Sequence, residues 1–473
     1  MVDVILIQPQ VSFLEKTQTL VPNCPHLGIL YLSSYIIERG FSVKFLDALV
    51  EGLSLECIRG ILKDEKPKVV GITAMTQNIK GAVQLAKFLK ETFGDNFKIV
   101  LGGPHVSADP EVINRFPYFD FCITGEADTT FPDLIEKIIR NNESIKGIFR
   151  GETPMDLDAL PFPRRDIIDY NIYKKKGFWA NAIFASRGCP YHCNFCSIPS
   201  MDKRLRIRSP RLIAQEIEDA VKVTGIKYIV FSDDALTVKK DFVSNLCEEI
   251  LRLPFKIKWE AQSRINYIDR TMLRAMRRAG CYKLLFGIES GNEMIRNQVI
   301  KKGITDRQII EVTRLCWQED IEPDHYLMLG HPTETKKELN DTVNCPLRFK
   351  PNIIGVFLTM PLPGAPLFKE SIEEGIVEKD VIDRYIKGEY GQGYQGCWPY
   401  YIPKGLSYDE LIQAKRRAYK KFYFRLNYLF LRLRRDIISW TKIKRDIQEG
   451  ISMLFRTKSK GDTNPDRIKT AID

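Results

Sequence analysis

Ile183-Phe184-Ala185-Ser186-Arg187-Gly188-Cys189-Pro190-Tyr191-His192-Cys193-Asn194-Phe195-Cys196 is the stretch that decides how this chain is read. A short apolar run of strand character leads directly into a C-x3-C-x2-C triplet, which places three thiols at the carboxyl end of a strand. In β/α barrels that rim is where chemistry is built. Three thiolates can hold three irons of a [4Fe-4S] cluster and leave the fourth iron open to an outside ligand, whereas a purely electron-carrying cluster normally takes four cysteines. The competing reading is a zinc site, which wants a fourth protein ligand; within the run only His192 is available.

Downstream, the Val, Ile and Phe runs at 228–231, 256–261, 284–288, 323–329 and 353–358 repeat the pattern, with stretches of helical periodicity between them. With 183–186 they make six β-α units, the expectation for an incomplete TIM-like barrel. Each run ends in a polar or glycine-bearing cluster: Ser232-Asp233-Asp234, Gln262-Ser263-Arg264, Glu289-Ser290-Gly291, Gly330-His331-Pro332 and Pro361-Leu362-Pro363-Gly364. Upstream, strands are predicted at 2–7, 42–46, 68–73, 98–101 and 120–124, with helices near 27–39, 54–63, 78–92 and 129–140. That alternation predicts an α/β, doubly wound parallel sheet, Rossmann-like, whose ligands sit beyond the carboxyl ends of the strands. Those ends carry Pro9, Thr73, Met75, Gly102, Gly103, His105, Gly125 and Glu126, where small residues let backbone amides approach a bulky ligand. The proline-rich segment Leu160-Pro161-Phe162-Pro163 breaks the periodicity and reads as part of a linker. The expected divisions are 1–150, a linker 151–180, the partial barrel 181–370, a helical basic region 371–457 and a disordered tail 458–473.

The 473 residues, 44% hydrophobic and 28% charged, exclude a collagenous, largely disordered or membrane-spanning chain, and suit several domains of roughly 100 to 200 residues. Eleven cysteines, odd in number and thinly spread, favour reduced thiols or metal ligands over disulfides, and hence the cytoplasm. Between Lys415 and Lys460 stand fifteen basic residues against Asp436, Asp446 and Glu449, a balance of +12 that exceeds the +11 of the whole chain. The body is neutral and the tail is basic. Phe422, Leu426, Leu429, Leu433, Ile437, Trp440 and Ile447 recur there near helical spacing, which suits a helical cap on the barrel or a helix lying on an anionic membrane surface. Nucleic-acid binding is disfavoured, because no RNA-binding module accompanies the charge. Most other cysteines sit in apolar surroundings as core residues; Cys397, after the barrel, is a candidate for the substrate cavity.

With Phe195 before the last thiol, the triplet Cys189, Cys193 and Cys196 resembles the signature of the radical S-adenosylmethionine (SAM) superfamily. The resemblance implies a [4Fe-4S] cluster that chelates SAM and cleaves it to a 5′-deoxyadenosyl radical. It further implies SAM contacts at Phe195, Asp233, Asp234, Arg264, Glu289 and Ser290. Pro25-His26-Leu27-Gly28, Leu101-Gly102-Gly103-Pro104-His105 and Ile123-Thr124-Gly125-Glu126 are similar to the cobalamin-binding domain that precedes the barrel in one subgroup. The D-x-H-x-x-G motif that supplies a lower axial histidine to cobalt is missing, so no such ligand is carried over. Together these imply a cobalamin-dependent enzyme that methylates an unactivated carbon of a small molecule, lipid-like in view of the tail. A flavodoxin or ferredoxin would supply electrons. The alternatives are a radical cyclase or ring-rearranging enzyme on a tetrapyrrole-like substrate, of the anaerobic magnesium-protoporphyrin ester cyclase type, and a non-catalytic cobalamin sensor or carrier. No catalytic side chain is assigned from sequence.

Overall fold

The computed structural model describes residues 1–14, 24–175, 180–198, 202–234, 236–389 and 401–425. Short runs of Val, Ile and Leu form the first sheet: β1 Val4–Gln8, β2 Val43–Asp47, β3 Val69–Thr73, β4 Lys98–Gly102, β5 Phe121–Thr124 and β6 Gly147–Arg150. All pair in parallel in the order β2-β1-β3-β4-β5-β6. Helices Leu27–Glu38, Leu55–Glu65, Ile79–Phe93 and Thr130–Arg140 make the crossovers and bury one apolar core on each face of the sheet. Continuous apolar runs are what a strand covered on both faces requires. β6 departs from that rule, since its residues alternate between half-buried and exposed as suits an edge strand. The order of strands reverses between β1 and β3, so a crevice opens at their carboxyl ends.

β7 Asn181–Ile183, β10 Tyr228–Phe231, β11 Lys258–Ser263, β12 Cys281–Glu289, β13 Glu322–Leu329 and β14 Ile354–Leu358 form a second parallel sheet, ordered β14-β13-β12-β11-β10-β7. Between β7 and β10 lies a two-stranded antiparallel ribbon, β8 Ser186–Arg187 with β9 Arg206–Ile207. The sheet curves over a large helix-facing core that includes Trp259, Phe231, Phe286 and Leu327, and it does not close: β7 and β14 remain its edges. The first predicted barrel strand is thus divided in two. Asp233, beyond β10, accepts hydrogen bonds from the Ala185 amide (3.1 Å) and the Ser186 hydroxyl (2.5 Å) and turns the chain out of the sheet toward the cysteines.

The two sheets are joined by packed, charged contacts. Leu157 and Leu160 of the linker are buried with Leu27, Tyr31 and Ala182. At this junction Glu216 accepts from Arg165 (2.8 Å), from the Tyr31 hydroxyl (2.8 Å) and from Arg208, uniting the first sheet's helix, the linker and the barrel. After β14 the chain turns back: Val381–Lys387 buries Val381, Ile382, Tyr385 and Ile386 in the core of the first sheet, and the Tyr385 hydroxyl donates to the Gln77 carbonyl. The helix Tyr408–Tyr423 then packs on the barrel through Leu411, Ala414, Ala418 and Phe422. The other apolar positions predicted for the tail, from Leu426 on, and Cys397 lie outside the described residues. Among the described residues no helix is long and apolar enough to cross a membrane.

Candidate functional site

The cysteine loop is fixed from both sides. The Asn194 amide donates to the Ile300 carbonyl (3.2 Å), and the Asn194 carbonyl accepts from the Leu367 amide (2.9 Å). Gly188 enters the loop at φ +84°, and a Cβ there would fall 2.3 Å from the Arg204 carbonyl oxygen, so only glycine fits. All three cysteines are unpaired thiols. Burial pushes the Cys196 thiol up to about 12 and raises Cys189, and the three sulfurs and Asp234 add to this through their mutual repulsion. A bound iron cluster would supply the positive charge that favours the thiolate form of Cys189 and Cys196. Three thiols with no fourth cysteine in the run are the donor set of a cluster with one open iron, whereas structural zinc takes four protein ligands. The donor set fits the cluster.

A cavity of about 350 Å³ lies between the two sheets. Its floor is apolar, with Leu6, Ile72, Val100, Ile123 and Phe131. The rim on the first sheet carries Thr73, Gly102, Gly103, Gly125 and Glu126; the barrel side carries Phe184, Ser186, Arg187, Gly188 and Asp234. Gly188 directly precedes Cys189, so the space beyond the first sheet's strand ends reaches the cysteine loop. A Cβ on Gly102 would meet nothing within 4 Å, which leaves that strand end open. Gly103 serves differently: at φ +98° its Cβ would lie 2.7 Å from the Ala74 carbonyl and 2.8 Å from the Thr73 hydroxyl, so glycine there lets two loops touch. An apolar hollow rimmed by close backbone suits a flat, bulky cofactor.

Residues 183–345 match the Radical SAM superfamily and residues 17–135 the B12 binding domain. An uncharacterized methyltransferase of Pyrococcus horikoshii is 30% identical over 417 residues, 85% of this chain and 88% of that protein. This chain belongs to the cobalamin-binding radical SAM enzymes. The anaerobic magnesium-protoporphyrin IX monomethyl ester cyclase of Cereibacter sphaeroides is 26% identical over 85% of the chain and 67% of its own length. In fold, the enzyme is similar to the cobalamin-dependent SAM radical enzyme OxsB, solved with aqua-cobalamin bound, with a TM-score of 0.71 at 16% identity over 100% of this chain and 78% of that one. The Radical SAM and B12 binding domains together make SAM with its [4Fe-4S] cluster, and cobalamin, the cofactors of this radical SAM enzyme.

The structure distributes the residues singled out by sequence unevenly in this radical SAM enzyme. Of the strand-end residues, Thr73, Gly102, Gly103, Gly125 and Glu126 line the cavity. Pro9 and Met75 belong instead to a turn built by Asn78, which donates to the Pro9 carbonyl and accepts from the Met75 amide. His105 is buried away from the cavity wall, with Nδ1 3.1 Å from the Thr76 hydroxyl and its ring lowered to about 4 by burial. On the barrel, Asp234 faces the cavity while Asp233 is held by Ala185 and Ser186. Glu289 accepts from Lys302 (2.8 Å), and Ser290 shares a hydrogen bond with Thr342. Arg264 stacks 3.7 Å over the Tyr191 ring, reaches the Cys193 sulfur at 3.7 Å and donates to the Lys302 carbonyl. Phe195 is half-buried in the loop.

Sequence reasoning assigned no role to Asp128, Asp202 and Arg206. Arg187 donates to Glu126 (2.7 Å) and Asp128 (2.7 Å), and Arg206 to Glu126 and to the Pro154 carbonyl (2.6 Å). The result is a charged seam across one wall of the cavity. Arg206 stands in a two-residue strand, too short to leave a periodic signal.

Proposed function

We propose that this enzyme transfers a methyl group to an unactivated carbon of a small-molecule substrate. The observation that carries the reading is the shared cavity: one space is walled both by the cobalamin-domain strand ends at Gly102 and Gly125 and by Gly188 and Asp234 beside the cysteine loop. When bound, the cofactors would supply a carbon-centred radical and a methyl donor within that compartment. Cys189, Cys193 and Cys196 hold the iron. Asp234, which faces the cavity, would accept from the amino group of SAM, and Phe195, Glu289 and Ser290 are the further SAM contacts of this reading. Arg264 keeps a positive charge beside Cys193, while the apolar floor excludes water, which would otherwise quench reactive species. Thr73, Gly102, Gly103, Gly125 and Glu126 form the cobalamin cradle.

The relative in Pyrococcus horikoshii carries the name of a methyltransferase, which supports this reading. A radical cyclisation on a tetrapyrrole-like substrate is the second reading, favoured by the cyclase relative. A lipid-like substrate, recruitment of the basic tail to anionic membrane, a flavodoxin or ferredoxin as electron donor and a cytoplasmic setting complete the proposal. The lipid and membrane parts rest on the +12 balance of 415–460, the cytoplasmic setting on the eleven thinly spread cysteines, and the electron donor on the reduction that a [4Fe-4S] cluster needs. Anaerobic reconstitution followed by mass spectrometry of lipid and tetrapyrrole extracts from a deletion strain tests it. Loss of a species heavier than its precursor by one methylene is expected. A changed tetrapyrrole ring with no lost methyl product would replace methylation by cyclisation.

A further inference from the structure

His26 caps the helix Leu27–Glu38, and its Nδ1 accepts the Ile29 amide N–H at 3.3 Å. The ring folds over the start of the helix, where a Cβ on Gly28 would lie 3.3 Å from its Cε1, and the residue lines the cavity between the sheets. Burial lowers the imidazole to about 4, so it is neutral near pH 7. A neutral imidazole carries one N–H, and a nitrogen that accepts a backbone amide cannot be the one that bears it. The proton is therefore on Nε2. Among the described residues Nε2 has no hydrogen-bond partner.

We infer that His26 is a positioning residue for the corrinoid: its Nε2–H donates to an acceptor oxygen on the cofactor's periphery, an amide carbonyl or a phosphate, rather than ligating cobalt. The inference rests on the reading that cobalamin occupies this cavity. A histidine that binds metal must offer an unprotonated nitrogen, and here the unprotonated one is committed to the helix. His105, the other histidine of the domain, is off the cavity wall. The cap thus sets the tautomer, and the tautomer sets what the cavity can bind.

Two variants separate the two edges of the ring. Asparagine reproduces the Nδ1 acceptor and is among the best helix caps, but does not reach the position of Nε2; glutamine reaches it with an N–H but is a poor cap. Full-length wild type, His26→Asn and His26→Gln are titrated with hydroxocobalamin by absorbance and melted in parallel. The expected result is that His26→Asn melts as wild type yet binds about tenfold more weakly, the scale of one neutral hydrogen bond. His26→Gln melts at lower temperature and binds within about threefold of wild type. Binding by His26→Asn as tight as wild type, or a tenfold loss in His26→Gln, overturns the inference. So does nitrogen splitting in the electron paramagnetic resonance spectrum of cob(II)alamin on the wild type that His26→Gln removes, because it would make His26 a ligand. Failure of the wild type itself to retain hydroxocobalamin would strike the cavity reading beneath it.

Discussion

Glu216→Ala should cost this protein more stability than any substitution on its surface. The Glu216 side chain is 0% exposed, and Arg165 and Arg208 are each 1% exposed. Removing the carboxylate strands two buried guanidiniums and takes one partner from the Tyr31 hydroxyl. Breaking a buried pair from one side costs about 3–5 kcal/mol. As a check, two unit charges ~4 Å apart at an effective dielectric of ~20 interact by about 4 kcal/mol. Urea unfolding followed by tryptophan fluorescence, to which Trp259, fully buried in the barrel, contributes, measures it. A loss below about 1 kcal/mol would refute the reasoning, since it would mean that water reaches the arginines. The pH dependence gives a second arm. Burial alone would raise the Glu216 carboxyl, but the attraction and hydrogen bonds of Arg165 and Arg208 outweigh it and hold the group below its ordinary value. A depressed folded value means the stabilisation is present above the unfolded carboxylate range, about 4.3, and is lost as pH falls through the folded value. The wild type should therefore lose stability on acidification more steeply than Glu216→Ala.

Gly102→Phe should abolish retention of hydroxocobalamin after desalting with the melting temperature unchanged, because its Cβ points into open cavity; Gly103→Ala should instead lower both the melting temperature and the unfolding free energy, the latter by about 1 kcal/mol or more, because its Cβ meets the Ala74 backbone. Cys193→Ser should leave the reconstituted protein well short of the ~4 Fe per chain of a full cluster, measured by iron and sulfide analysis. Arg264→Gln should shift the cluster's midpoint potential to more negative values in a redox titration followed by paramagnetic resonance, since a positive charge near Cys193 favours the added electron; an unchanged potential would remove Arg264 from the cluster's surroundings.

Most of the fold was legible because its strands are parallel and covered on both faces, which leaves near-continuous apolar runs such as Val4-Ile5-Leu6-Ile7 and Tyr228-Ile229-Val230-Phe231. β6 escaped because it is an edge, with Ile148 42% exposed, and β8 and β9 because two residues cannot show a period. The cysteine triplet stands out in the sequence since its three thiols fall within one run of eight residues. The partners of Glu126, Asp233 and Arg264 were not legible, because each is chosen by a contact made across dozens of residues, with Arg206, Ser186 and Lys302 respectively. Side-chain type announced the chemistry; only the packing showed which groups were already engaged.

The return of Val381–Lys387 to the helix Ile79–Phe93 makes the barrel an insertion within the first unit rather than a bead following it on a string. The core on one face of the first sheet is covered in full only after the whole barrel has been synthesised. A fragment ending near residue 150 would therefore emerge with the apolar face of that helix uncovered, and cleavage of the linker would leave the two halves still clasped. Order of synthesis and order of assembly differ in this chain, and the cavity between the two sheets, lined from both, belongs to the later event.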